Sequence, residues 1–233
     1  HECSSAASDV YKRQIQWVLE DRFASDFPDL SKVGVEIVAD VVPYEETKIR
    51  ILNGGHTGLA YLGALAGHET FDQAMQDQEI RAHFDAWERD EVLIGLDKNI
   101  PFDTVAYLGE ISRRFENSGI ADSLERICMD GYSKMSIYIR PTLSACLKLG
   151  VLPKAGFDCI ASWVVYTRCV QEGLCKVPYH EPLWDRVATL LAEGNETRLA
   201  NDNELWGDLP KRYDEFVPAL VAAIEEMDKK WRA

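Results

Sequence analysis

The segment ADVVPYEETKIRILNGGHTGLAYLGALAG, Ala39 to Gly67, divides the chain into two kinds of pattern. Before Pro43 the apolar residues come in short β-branched runs; after it they recur at helical spacing, and they continue to do so to the C-terminus. The spacing predicts one long helix from about Tyr44 to Leu65. Gly54, Gly55 and Gly58 fall inside it, and each interior glycine costs a helix about 1 kcal/mol against alanine. Three in five positions call for a reason, of which close approach by a neighbouring backbone or a ligand is the usual one.

The same segment carries a set of polar residues, Glu45, Lys48, Asn53 and His56. At 100° per residue, with Lys48 at zero, Glu45 falls at about 60°, His56 at about 80° and Asn53 at about 140°, so all four share one arc. Ile49, Ile51 and Leu52 flank that arc, and the expectation is a partly desolvated lysine. Burial disfavours the charged ammonium, which makes a lysine a general base near neutral pH. An asparagine N–H can serve an oxygen that passes between alkoxide and carbonyl. A histidine can hydrogen-bond a hydroxyl, and a glutamate one turn before the lysine can pass its proton to solvent. Read without that chemistry, an i, i+3 Glu/Lys pair is a solvated helix pair worth about 0.2–0.5 kcal/mol.

Upstream, Ile15, Trp17 and Leu19 alternate with Gln16 and Val18 in a short run that reads as a strand, and Val33 to Val38 reads as a second strand ending at Asp40. The first thirteen residues, HECSSAASDVYKR, have no period and read as a leader outside the fold. Downstream, helices are expected at about 70–90, 103–116, 120–129, 136–149, 155–172, 183–193 and 212–231. The fold class is therefore mainly α: a leader at 1–13, a short β remnant at 14–40 and a multi-helical domain at 41–233.

Composition narrows the partners. A formal net charge of −14 with no basic stripe repels phosphate backbones, so nucleic acid is not an expected partner. No run of 18 apolar residues and no secretory leader is present, so neither is a membrane, and a cytoplasmic protein is expected. The six cysteines, at 3, 128, 146, 159, 169 and 175, form no CxxC pair and no zinc-like cluster with histidine. Reduced, packing thiols and no metal are expected.

K-x4-N-x2-H, here Lys48, Asn53 and His56, resembles the signature of the polyol-specific long-chain dehydrogenases and reductases, the mannitol dehydrogenase family. QWVLEDRF (Gln16 to Phe23), GVEIVADVVPYEETKIRILNGGH (Gly34 to His56), RFENSGIADSLERICMDGYSK (Arg114 to Lys134) and PTL (Pro141 to Leu143) are similar to that family in the same order. The resemblance covers nearly everything after residue 14. It implies a metal-independent hydride transfer between a polyol and a ketose, with NAD or NADP. Lys48 would be the acid/base, Asn53 and His56 the substrate binders, Glu45 the proton relay, and Arg126 and Lys134 further substrate contacts. Taken without the resemblance, Arg126 and Lys134 are a helix-end cation pair.

PYEETKIRILN together with LWGDL (Leu205 to Leu209) leans toward arabinitol-like substrates. A hexuronate reductase is the alternative within the class, since Arg126, Lys134 and Arg140 could meet a carboxylate. A non-catalytic helical binding module is the alternative outside it, and it expects Glu45, Lys48, Asn53 and His56 scattered and exposed. Family members carry a nucleotide-binding domain with a Gly-rich turn before this region, and GGHTG at 54–58 lacks the preceding strand. The expectation is a C-terminal fragment, inactive by itself, whose cofactor contacts lie mostly in the other half.

Overall fold

The computed structural model describes residues 17–96 and 98–232. The leader expected at 1–13 and the strand residue Ile15 lie outside the described residues. Two three-residue strands, β1 (Val18–Glu20) and β2 (Glu36–Val38), pair in parallel, with Leu19 opposite Ile37. The second strand starts later than its β-branched run because Asp29 caps a 3-10 turn, Leu30–Val33, through the Ser31 N–H. Gly34, at φ 87, then turns the chain into β2.

Beyond β2 the chain is helical. α1 (Val42–Thr47), a π turn (Lys48–Asn53) and α2 (Gly54–Leu65) form one continuous helix in place of the regular one expected over 44–65. The glycines follow from packing. A methyl at Gly55 would lie 2.5 Å from Glu88 Oε1, and one at Gly58 would lie 2.8 Å from Cys159 Sγ.

The single helix expected over 70–90 is split into α3 (Phe71–Gln76) and α4 (Gln78–Asp85). Asp77, at ψ 123, leaves the helical region, and its carboxylate accepts from the N–H groups of Glu79 and Ile80. A second π turn, Ala86–Val92, continues into α5 (Leu93–Gly95). α6 (Thr104–Phe115) lies within the 103–116 expected and is capped by Asp103, whose carboxylate accepts from the Val105 and Ala106 N–H groups, and α7 (Leu124–Cys128) is shorter than the 120–129 expected. α8 (Gly131–Lys134), a third π turn (Met135–Ile139) and α9 (Arg140–Lys148) are again continuous. Pro141 lies just past that turn; proline offers no N–H and crowds the carbonyl four residues back, a conflict that a widened turn relieves.

α10 (Lys154–Gln171) and α11 (Trp184–Leu190) follow, then three short helices absent from the sequence reading. These are α12 (Glu196–Ala200), α13 (Asn203–Trp206) and α14 (Leu209–Arg212), each too short to show a period. α15 (Phe216–Arg232) closes the fold. Between Ala155 and Cys169 every residue of α10 except Asp158 is buried, as expected of a helix enclosed on all sides. It packs against α2 and α15. Arg168 ties this centre together: it donates to Leu191 O at the end of α11 (2.8 Å), to Glu196 of α12 (2.6 Å) and to Asp228 of α15 (3.3 Å).

Cys128, Cys146, Cys159 and Cys169 are buried free thiols and Cys175 a half-buried one, the packing role expected of them. No helix among the described residues is long and apolar enough to cross a membrane.

Candidate functional site on the interrupted helix

All four polar residues of the Pro43–His56 segment lie on one unbroken helix: Glu45 in α1, Lys48 and Asn53 at the two ends of the π turn, and His56 in the first turn of α2. An α-helix sets residues five apart about 140° from one another. Here the Gly54 N–H donates to Ile49 O, an i→i+5 bond, and that wider turn brings Lys48 and Asn53 toward a common line. Such single π turns concentrate at functional sites because they re-aim side chains without ending the helix. Arg50, buried inside the turn, holds it in place: Nε donates to Thr142 Oγ1 (3.2 Å) and Nη1 to Gly95 O (2.8 Å).

Exposure differs along this face. Asn53 and His56 are half-buried, while Glu45 and Lys48 are exposed. The expected desolvation of Lys48 is therefore not supplied by its neighbours. Ile51 is fully buried and Ile49 and Leu52 are half-buried, so these apolar side chains face the core instead of sheltering the amine.

His56 is held by aromatic contacts. Its ring stacks on Phe115 of α6, centroids 4.2 Å apart, and meets Phe71 of α3 edge-on at 4.8 Å. Burial pushes its pKa down to about 3; Asp122 opposes this, and the charges of Arg114, Arg126 and Lys134 add to it. The imidazole is thus neutral, and it lies within electrostatic reach of Arg126 and Lys134, both in the run from Arg114 to Lys134.

Those two cations sit on well-held elements. Phe71 N donates to Asp122 O (2.8 Å) and Leu124 N to Glu69 O (3.0 Å), which fastens the start of α7 to the start of α3. Arg126, exposed on α7, pairs with Asp122 at 2.7 Å. Lys134, half-buried at the end of α8, donates from Nζ to Ile127 O at 2.6 Å, and burial lowers its pKa. The helix-end reading of Lys134 is thus realised alongside its proximity to His56. Ala121 (φ 45) and Asp130 (φ 54), the two non-glycine residues with positive φ among the described residues, bracket α7. Such strain persists only where surrounding structure over-determines it, and it clusters at binding sites.

Arg140 departs from its expected role. Its Nη1 donates to Glu204 O and Leu205 O, both at 3.2 Å, so it secures the LWGDL segment by binding backbone carbonyls. Asp72 and Arg114, which share a small cavity with His56, escaped the sequence reading. Asp72 looks like an ordinary first-turn acid of α3, and Arg114 like one more basic residue near the end of α6.

The strand-to-helix turn that leads into the site does not fit the pyrophosphate of a dinucleotide. The strand-to-helix turn that precedes the site, from β2 through Ala39, Asp40 and Val41 into α1, contains no glycine. Its helix start is occupied by the Asp40 carboxylate, which accepts from the Val42 N–H at 3.0 Å, and Pro43 offers no donor. A carboxylate at that place repels a pyrophosphate, which needs free N–H groups and close backbone approach.

Fold and sequence together define the class of this chain: the family model described as the mannitol dehydrogenase C-terminal domain matches residues 40–228. The chain belongs to that family. It is 34% identical over 222 residues to D-arabinitol 4-dehydrogenase of Ralstonia nicotianae, covering 94% of this chain and 47% of that protein. With mannitol 2-dehydrogenase of Cereibacter sphaeroides it shares 34% identity over 223 residues, 93% of this chain and 45% of the relative. The solved ternary complex of Pseudomonas fluorescens mannitol 2-dehydrogenase with NAD and D-mannitol superposes with a TM-score of 0.85 at 32% identity, covering 93% of this chain and 44% of that one. The chain thus spans less than half the length of these relatives.

Proposed function

We propose that this chain is the substrate-binding part of an NAD-dependent polyol dehydrogenase that interconverts a sugar alcohol and a ketose. The observation that carries the reading is the π turn, which brings Lys48 and Asn53 toward one line on the helix that also presents His56. The Lys48 amine, once deprotonated, takes the proton of the substrate hydroxyl, and Glu45, three residues before it on the exposed face, passes that proton to water. The Asn53 amide N–H steadies the oxygen that changes between alkoxide and carbonyl. Neutral His56, with Arg126 and Lys134 around it, binds the remaining hydroxyls. NAD, bound in the solved relative, would be held mainly by a domain other than this one and would take up the hydride that leaves the substrate carbon, while residues 17–232 supply proton and hydroxyl chemistry. The exposed Lys48 would be sheltered by that same domain.

A neutral polyol is favoured over a uronate because the Arg140 guanidinium is bound to backbone carbonyls and Arg126 is paired with Asp122. The five free thiols among the described residues fit a reducing compartment such as the cytoplasm. In the protein at its relatives' full length, Lys48→Ala is expected to lower kcat for alcohol oxidation by about 10² to 10⁴. The rise of rate with pH should disappear with it, and an added primary amine should restore part of the activity. A Lys48→Ala enzyme with unchanged kcat and pH profile overturns the proposal; a change in KM alone makes Lys48 a binding residue.

A further inference from the structure

Beside His56 lies a small cavity, lined also by Asp72, Arg114, Phe71, Phe115 and Asn117. It has room for one water molecule and is far too small for a sugar. Two of its polar groups have no partner among the described residues: Asp72 Oδ1, on a side chain only 7% exposed, and Arg114 Nε, also buried. The others are engaged, Asn117 Oδ1 with Gly119 N (2.9 Å) and Asp122 with Arg126 (2.7 Å). Placement in the first turn of α3 accounts for the charge of Asp72 through the helix dipole, but it leaves Oδ1 unsatisfied.

We propose that Asp72 and Arg114 are positioning residues for His56. Through one buried water they hold the imidazole in a single tautomer, its proton on the nitrogen that faces the cavity and its lone pair on the open side. A water molecule has two donor and two acceptor positions. The buried one accepts from Arg114 Nε–H and from the imidazole N–H, and it donates to Asp72 Oδ1, so every partnerless group in the cavity is satisfied. The carboxylate sets the direction: it can only accept, so it turns the water's O–H toward itself and leaves the water's oxygen to the imidazole. Burial keeps the ring neutral, so a tautomer exists to be chosen. The tautomer assignment stands on the cavity and the neutral ring, independently of any substrate. Its consequence, that His56 accepts a hydrogen bond from a substrate hydroxyl instead of donating one, rests on the polyol reading above.

The test is long-range nitrogen–proton correlation NMR on the 233-residue chain without substrate or nucleotide, with the His56 signals assigned by their loss in His56→Gln. One neutral tautomer should dominate in the wild type. In Asp72→Ala the water keeps its bond from Arg114 and its free O–H turns to the imidazole, so the tautomer ratio should fall by about fivefold or more, the effect of one lost hydrogen bond. Arg114→Met leaves the acceptor chain intact and should keep the wild-type tautomer. An evenly mixed wild-type ring, or an unchanged ratio in Asp72→Ala, overturns the proposal. If Asp72→Ala loses the wild-type backbone spectrum, Asp72→Leu, similar in shape and without an acceptor, is read by the same criterion. Because no turnover is measured, failure here leaves the polyol reading standing, and loss of that reading leaves the tautomer result intact.

Discussion

The β1/β2 pair and helix α10 represent opposite ways of building structure from apolar residues. Around the strands, Trp17, Phe23, Phe27, Val33 and Ile37 are exposed, and Phe23 and Phe27 stack mainly on each other. In α10, Phe157, Ile160, Trp163, Val164 and Tyr166 are essentially inaccessible to water. Two three-residue strands bury too little surface to stabilise themselves, whereas α10 has neighbours on every side. Stability therefore resides in the helical body, and the strands add an apolar surface at its edge.

The largest effect that would break this comparison is at Arg168. Its guanidinium is almost fully buried, so Arg168→Ala takes the ion-pair partner from Glu196 and the donor from Leu191 O and Ala192 O, and leaves Asp228 to Arg232 alone. A loss of about 3–5 kcal/mol is expected in urea unfolding. A loss below about 1 kcal/mol would mean that the helical body does not depend on this centre.

Next is Gly131, the first residue of α8. A methyl group there would overlap Trp163 Nε1, Tyr179 OH and Tyr61 OH. Gly131→Ala should cost about 1–3 kcal/mol, the usual penalty for overpacking. It should also shift the NMR signals of Lys134, at the other end of the same short helix.

Protonation of the two buried rings works against the helical body as well. Burial pushes the pKa of His56 down to about 3 and that of His83 to about 4, while an imidazole in the unfolded chain titrates near about 6.5. At these two sites the unfolded chain binds more protons between these values, so their contribution to stability falls as pH falls from about 6.5 toward 4. Glu88, Glu91 and Asp158, whose carboxyl pKa values burial raises, act in the opposite direction, so the ring is isolated by comparing variants. The stability of His83→Gln relative to the wild type should be greater at pH 5 than at pH 7 in urea unfolding; an equal difference at the two pH values would place the His83 ring in water. The smallest effect belongs to the strands: Ile37→Ser should change stability by no more than about 0.5 kcal/mol, and a larger loss would show that β2 is integral to the core.

Much of the helical half was legible from side-chain chemistry. The end of the β-branched runs at Pro43 and the helical spacing over about 103–116 and 155–172 are local features, read within a few turns of chain. What could not be read locally was misread locally. Asp77 looks like a surface acid until its backbone turns and caps α4, and the helices α12 to α14 are shorter than the period that would reveal them. Lys48 looks sheltered by Ile49, Ile51 and Leu52 until the core claims those side chains.

The sequence by itself determined that Glu45, Lys48, Asn53 and His56 share one helical segment, because four residues within twelve positions of one helix cannot be far apart. It also determined, through K-x4-N-x2-H and the runs around it, the family to which the chain belongs. Only the tertiary structure decided that the segment contains a π turn, since that depends on Arg50 reaching Thr142 and Gly95 from other helices. Only it decided that Phe71 and Phe115 enclose His56, that Arg126 and Lys134 lie within its electrostatic reach, and that Asp72 and Arg114 share its cavity. Those relations join residues tens of positions apart. Their geometry is set by how the helices pack, which no local pattern of residues encodes.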